Sequence, residues 1–78
     1  MVDTTIRVMF KSEQERDRFF AYVDRFDYRP VYNGRPEKSA GWMGDHMGNC
    51  RLYLDRRCVV NFERLGHDIQ MFGGRIEM

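Results

Sequence analysis

The chain has 78 residues, with thirteen Lys and Arg against twelve Asp and Glu, and only two cysteines. A chain of this length buries about 60–65% of the surface it exposes when unfolded, which leaves no volume for a deep internal pocket beside an intact core. Nearly balanced charge, with acids interleaved among bases, excludes a generic polyanion binder, and two cysteines make no disulfide framework.

One imbalance stands out. Eleven of the thirteen cations are Arg, leaving only Lys11 and Lys38. Arg presents a planar fork of donors and stacks on aromatic rings, which suits interfaces and phosphates; codon bias in a GC-rich genome accounts for it equally well. No run approaches the roughly twenty apolar residues of a membrane span, and residues 1–5 show no basic segment leading into an apolar one. A cytoplasmic protein is expected.

In chain order, Ile6, Val8 and Phe10 alternate with polar neighbours and predict a half-buried strand over 5–10. Ser12 with Glu15 three residues on reads as a capping box. A helix over 13–26 follows, with Phe19, Tyr22, Val23 and Phe26 on one stripe and Phe20 beside it. Residues 28–32 suit a short strand, which Pro30 confines to an edge because it cannot donate to a ladder. Residues 33–49 are punctuated by Gly, Pro and Asn and read as one long loop, of a length that is usually functional or disordered.

Leu52 and Leu54 alternate with Arg51 and Tyr53 to give another strand over 50–54. Residues 56–65 allow two structures. As a helix, Asp55 caps it, Cys58, Val59, Phe62 and Leu65 line one face, and Gly66 ends it. As a strand, Cys58, Val60 and Phe62 point inward and the Val-Val pair favours it; the helix is the preferred reading. Gly73-Gly74 between residues 69–72 and 75–78 is a two-residue hairpin signal, and the pairing it implies puts Ile69, Met71, Ile76 and Met78 on one face. Together these elements predict an α+β domain: a small antiparallel sheet with one or two helices on one face, ferredoxin-like βαββαβ, spanning residues 1–78.

Candidate chemistry is sparse. His46, Cys50, Cys58 and His67 are ligand types that zinc prefers, but intervals of three, seven and eight residues lack a close knuckle. Asp45, His46 and Cys50 have the composition of a thiol nucleophile with its base, on a Gly-rich loop that holds geometry badly. Glu13, Glu15 and Asp17 sit where a helix N-terminus favours negative charge, which explains them without chemistry. No metal, no cofactor and no enzymatic activity are expected.

Binding is better represented. Residues 41–48 place the chain's single Trp, Trp42, with Met43 and Met47 among glycines. Trp anchors interfaces and Met adapts to irregular surfaces, although a Trp plugging the end of a small core accounts for Trp42 as well. With Arg51, Tyr53, Arg56 and Arg57 these residues are the expected contact set for a protein partner. The alternative uses the sheet face for single-stranded nucleic acid, with Arg51 and Tyr53 sharing a strand face as in RNA-recognition modules, whose own glycine-aromatic signature is missing. A homodimer through a free sheet edge is compatible with either.

The opening from Arg7 through Lys11, Ser12 and Glu15 to Phe19 and Phe20 resembles the start of small tailed-phage accessory proteins: a strand ending in Phe-Lys, a polar cap, an acidic first turn, then aromatic helix residues. The resemblance covers residues 7–20. It implies a phage-type protein in a bacterial host cytoplasm, acting as an inhibitor of a host or defence protein. It carries over no site residues.

Overall fold

A computed structural model describes residues 4–38 and 50–77. The elements are β1 (Thr5–Met9), α1 (Glu13–Val23), a 3-10 turn at Phe26–Tyr28, β2 (Glu37–Lys38), β3 (Arg51–Asp55), a second 3-10 turn at Arg56–Cys58, α2 (Phe62–Met71) and β4 (Arg75–Glu77). The chain is thus a small α+β fold, and the βαββαβ succession expected from the sequence is the one observed. The strands lie in the order β2-β3-β1-β4, each antiparallel to its neighbours. Each helix therefore joins two strands that have a third between them.

Alternation decides which face is covered. Ile6 and Val8 pair with Leu54 and Leu52 across the β1–β3 ladder, and all four are buried. Phe19 and Val23 from α1, with Leu65 and Ile69 from α2, close over them as one apolar cluster. Ser12 caps α1, its hydroxyl accepting from the Glu15 N–H at 3.2 Å. Asn61 does the same for α2, accepting from the Arg64 N–H at 3.1 Å.

Four expectations need correction. The first helix stops at Val23, and Arg25 is extended, so Phe26 leaves the buried stripe and stands 79% exposed. The expected strand at 28–32 is a 3-10 turn and its exit; Tyr32 alone bridges, to Val59. The second strand instead falls at Glu37–Lys38, inside the expected loop. Asp55 caps a 3-10 turn, not a helix, accepting from the Arg57 N–H at 2.9 Å, and α2 begins later, at Phe62.

The fourth correction concerns Gly73-Gly74. Residues 69–71 are helical, so no hairpin forms. Gly73 takes φ +78°, and its N–H donates to the Gln70 carbonyl at 3.0 Å while the Gly74 N–H donates to the Ile69 carbonyl at 2.8 Å. That pair of bonds is a Schellman stop, which satisfies carbonyls the helix end leaves open. A glycine pair suits a hairpin turn and a helix stop alike; the amphipathic face of Leu65 and Ile69 decided for the helix.

Candidate interaction surface

Both helices meet one end of the sheet. α1 finishes where β1 starts, and α2 starts where β3 finishes, so residues 24–36 and 55–62 form a single layer of turns. The layer is tied by backbone bonds. Val31 C=O accepts from the Val60 N–H at 2.7 Å, Cys58 C=O from the Asn33 N–H at 2.8 Å, and Thr4 C=O from the Arg56 N–H at 2.7 Å. Tyr32, fully buried, accepts from the Asp55 N–H through its hydroxyl at 3.0 Å. These bonds give the turns a fixed shape in place of regular structure.

On this frame stand the large exposed apolar side chains of the turn end: Phe26 at 79%, Val60 at 67% and Phe62 at 42%. Two of the rings carry a guanidinium lid. Arg29 sits 4.8 Å from the Phe26 ring centroid, and Arg56 5.4 Å from that of Phe62. Arg57 forks onto Asp55, with Nη2 to Oδ2 at 2.8 Å and Nε to Oδ1 at 3.1 Å. That pairing holds the Asp55 carboxyl below the usual carboxylate range and raises Arg57. Beside Phe26 an open cleft of about 390 Å³ is lined by Arg25, Arg29, Asn33, Gly34 and Arg35. Arg25 pairs with Asp27 and Arg35 with Asp24, both at the surface.

Behind the surface, α2 carries an i,i+4 ion pair with one buried partner. Asp68 is 5% exposed and accepts from Arg64 Nε at 3.0 Å. Burial pushes the Tyr28 phenol far up, and the Asp68 carboxylate beside it pushes the same way. The carboxylate is thus paired with the Arg64 guanidinium and lies beside the Tyr28 phenol.

The expected site residues do not come together. Arg56 and Arg57 belong to the turn end. Arg51 lies at the opposite end of β3, on the sheet face away from the helices, with Nε on Glu77 Oε1 at 3.0 Å. Tyr53 shares that face but is 8% exposed, so its ring offers little to a ligand. Trp42, Met43, Met47 and His46 lie outside the described residues. Cys50 and Cys58 flank β3 at its two ends, with its five residues, roughly 15 Å at strand spacing, between them, so one metal ion cannot take both. Among the described residues no three His, Cys, Asp or Glu side chains are grouped to hold a metal, and no helix is long and apolar enough to cross a membrane.

Sequence reasoning missed Phe26, Arg29, Val60 and Phe62. Phe26 looked like core because its spacing continued the α1 stripe. The available signal was the Asp24-Arg25 step after Val23, where two charged residues interrupt the apolar run. A comparison with known proteins found no matching family, no matching curated protein and no matching solved structure.

Proposed function

We propose that the chain is a non-enzymatic protein-binding module that contacts its partner through the turn end. The observation that carries this reading is the pair of exposed phenylalanines, Phe26 and Phe62, each under an arginine, the first on a 3-10 turn and the second at the first position of α2. A preformed aromatic-arginine surface loses little freedom on binding, and Arg and aromatic residues are enriched among the side chains that dominate interfaces. The clefts beside it are open and lined by paired charges, an arrangement suited to a protein surface more than to a small substrate.

The test is a tagged pull-down from bacterial lysate, with and without nuclease, comparing the natural chain with a Phe26→Ser/Phe62→Ser variant. A protein retained stoichiometrically through nuclease, and weakened by about tenfold or more in the variant, is the expected result. Equal retention by the variant removes the turn end from consideration. The same assay on Trp42→Ala asks whether residues 42–47 share the contact. The narrower reading, an inhibitor of a host or defence protein, rests on the phage-type resemblance of residues 7–20, and the retained protein would name that target.

A second reading has one observation in its favour. The register turns Arg7, Arg51 and Arg75 to the same outer sheet face on three adjacent strands. Single-stranded nucleic acid on that face predicts an affinity that falls steeply with salt, and retained material that nuclease removes. The burial of Tyr53 weakens it, since such sheets bind bases by stacking.

A further inference from the structure

β4 is the last strand on its side of the sheet, and among the described residues it pairs only with β1. The register fixes which of its backbone groups face outward. The Phe10 N–H donates to the Cys50 carbonyl at 3.0 Å, and the Arg56 N–H to the Thr4 carbonyl at 2.7 Å. Even-numbered residues of this strand therefore turn their backbone groups toward β3, and the odd-numbered Arg7 and Met9 turn theirs toward β4. Arg7 lies opposite Glu77 and Met9 opposite Arg75. Arg75 and Glu77 thus face β1 with their N–H and C=O, and those of Ile76 point away from the sheet.

We propose that β4 pairs antiparallel with β4 of a second copy of this chain, about a two-fold axis through Ile76. With Ile76 opposite its counterpart, the two residues exchange both N–H···O=C bonds as a hydrogen-bonded pair. Arg75 of each copy then stands opposite Glu77 of the other, on the outer face. The charges of the strand select this arrangement: in-register parallel pairing sets Arg75 against Arg75 and Glu77 against Glu77, and like charges directly opposite destabilise a sheet. Glu77 already accepts from Arg51 through Oε1, and a carboxylate accepts at both oxygens. The second copy's Arg75 extends that pair into a row of alternating charge.

The helix face is suited to the same seam. Ile76 lies opposite the buried Val8 and so points to the helix side. There an open groove of about 660 Å³ runs between α2 and β4, lined by Phe62, Gly66, His67, Gln70 and Ile76. A Cβ added at Gly66 would meet nothing within 4 Å, so α2 is low and open toward the edge. Extending the sheet across β4 brings Ile76 and α2 of the second copy to this groove, and two-fold symmetry repeats each contact. The inference stands apart from the protein-binding reading, although Phe62 borders both surfaces.

The experiment is molar mass by light scattering across a concentration series of the full chain, with Arg75→Glu, Glu77→Arg and an equimolar mixture of the two. The natural chain is expected to rise from 9.4 kDa toward twice that mass. Each single variant, folded by circular dichroism, is expected to stay at the monomer mass, because like charges then face each other at both paired positions. The mixture is expected to recover the dimer, since every acid again faces a base. A natural chain that is monomeric at all concentrations overturns the proposal. So does an Arg75→Glu chain that dimerises as the natural one does, or a mixture of folded variants that stays monomeric.

Discussion

Two groups of aromatic rings in this molecule have opposite fates. Phe10, Phe19, Tyr22, Tyr28 and Phe72 pack ring against ring between α1 and the end of α2, with centroids 4.8–6.3 Å apart. Phe26 and Phe62 have arginine over them and solvent beyond. What separates the groups is the backbone that carries them. Phe19 and Tyr22 on the α1 stripe and Phe10 at an inward strand position are delivered to other rings, and Tyr28 and Phe72, beyond the helix ends, turn back onto them. Phe26, past the end of α1, and Phe62, at the first position of α2, are delivered to the rim. The first group should matter for stability and the second for contact with something outside.

Phe19→Ala attacks the first group at its centre. Phe19 is fully buried and touches Phe10, Tyr22 and Phe72, so the lost burial and the cavity together cost about 3–5 kcal/mol. Small domains hold only about 5–10 kcal/mol in total. Chemical denaturation should show a large fall in midpoint or a chain unfolded at room temperature. A loss under about 1 kcal/mol would mean the ring cluster is not a core.

Gly74→Ala tests the same cluster from its edge. The added Cβ would lie 2.6 Å from the Phe10 ring, which is buried and cannot swing aside. Overpacking of this kind costs about 1–3 kcal/mol, read as a lower thermal midpoint. Gly73 is constrained for a different reason, its positive φ.

Tyr28 adds a pH dependence. Its phenol is raised above the ordinary value of 10.0 by burial first and by the Asp68 carboxylate second. As pH climbs past about 10, the unfolded chain releases the tyrosine proton and the folded chain keeps it. The unfolded state then binds fewer protons, so stability falls with rising pH. Tyr28→Phe should flatten that alkaline limb while changing little at neutral pH. A residual slope should persist from Tyr32, which burial also raises. An unchanged limb in Tyr28→Phe would place the titrating group elsewhere.

The contrast also marks what the sequence could and could not tell. β1, the Ser12 cap, α1 and β3 were legible because alternation or helical spacing coincided with a clear start signal. β2 was not, because two residues carry no period. Gly73-Gly74 was misread because a glycine pair stops a helix as readily as it turns a hairpin, and the choice depends on burial of Leu65 and Ile69 far along the chain. The interaction surface was half visible: Arg56 and Arg57 were named, while Phe26 and Phe62 were assigned inward since apolar spacing cannot tell where a helix ends. Arg51 and Tyr53 were grouped with Arg56 and Arg57 by nearness in sequence, which a strand converts into distance.

The smallest stability effect is the most informative. Phe62→Ser removes a ring only 42% exposed and so loses some burial, whereas Phe26→Ser removes one 79% exposed and loses little. Surface substitutions of this kind stay within about 0.5 kcal/mol, and loss of an exposed arginine-ring contact adds about 0.5–1 kcal/mol at Arg29 or Arg56. The thermal midpoint of Phe26→Ser should therefore stay close to that of the natural chain and that of Phe62→Ser should fall only modestly, while partner retention falls in both. If either variant instead unfolds as Phe19→Ala does, that ring is core, and the turn end loses the residue on which its role depends. If both fold normally and both keep the partner, the exposed rings are incidental and the contact lies on another face. Only the combination of intact stability and lost retention separates a surface made for binding from one left over by the turns.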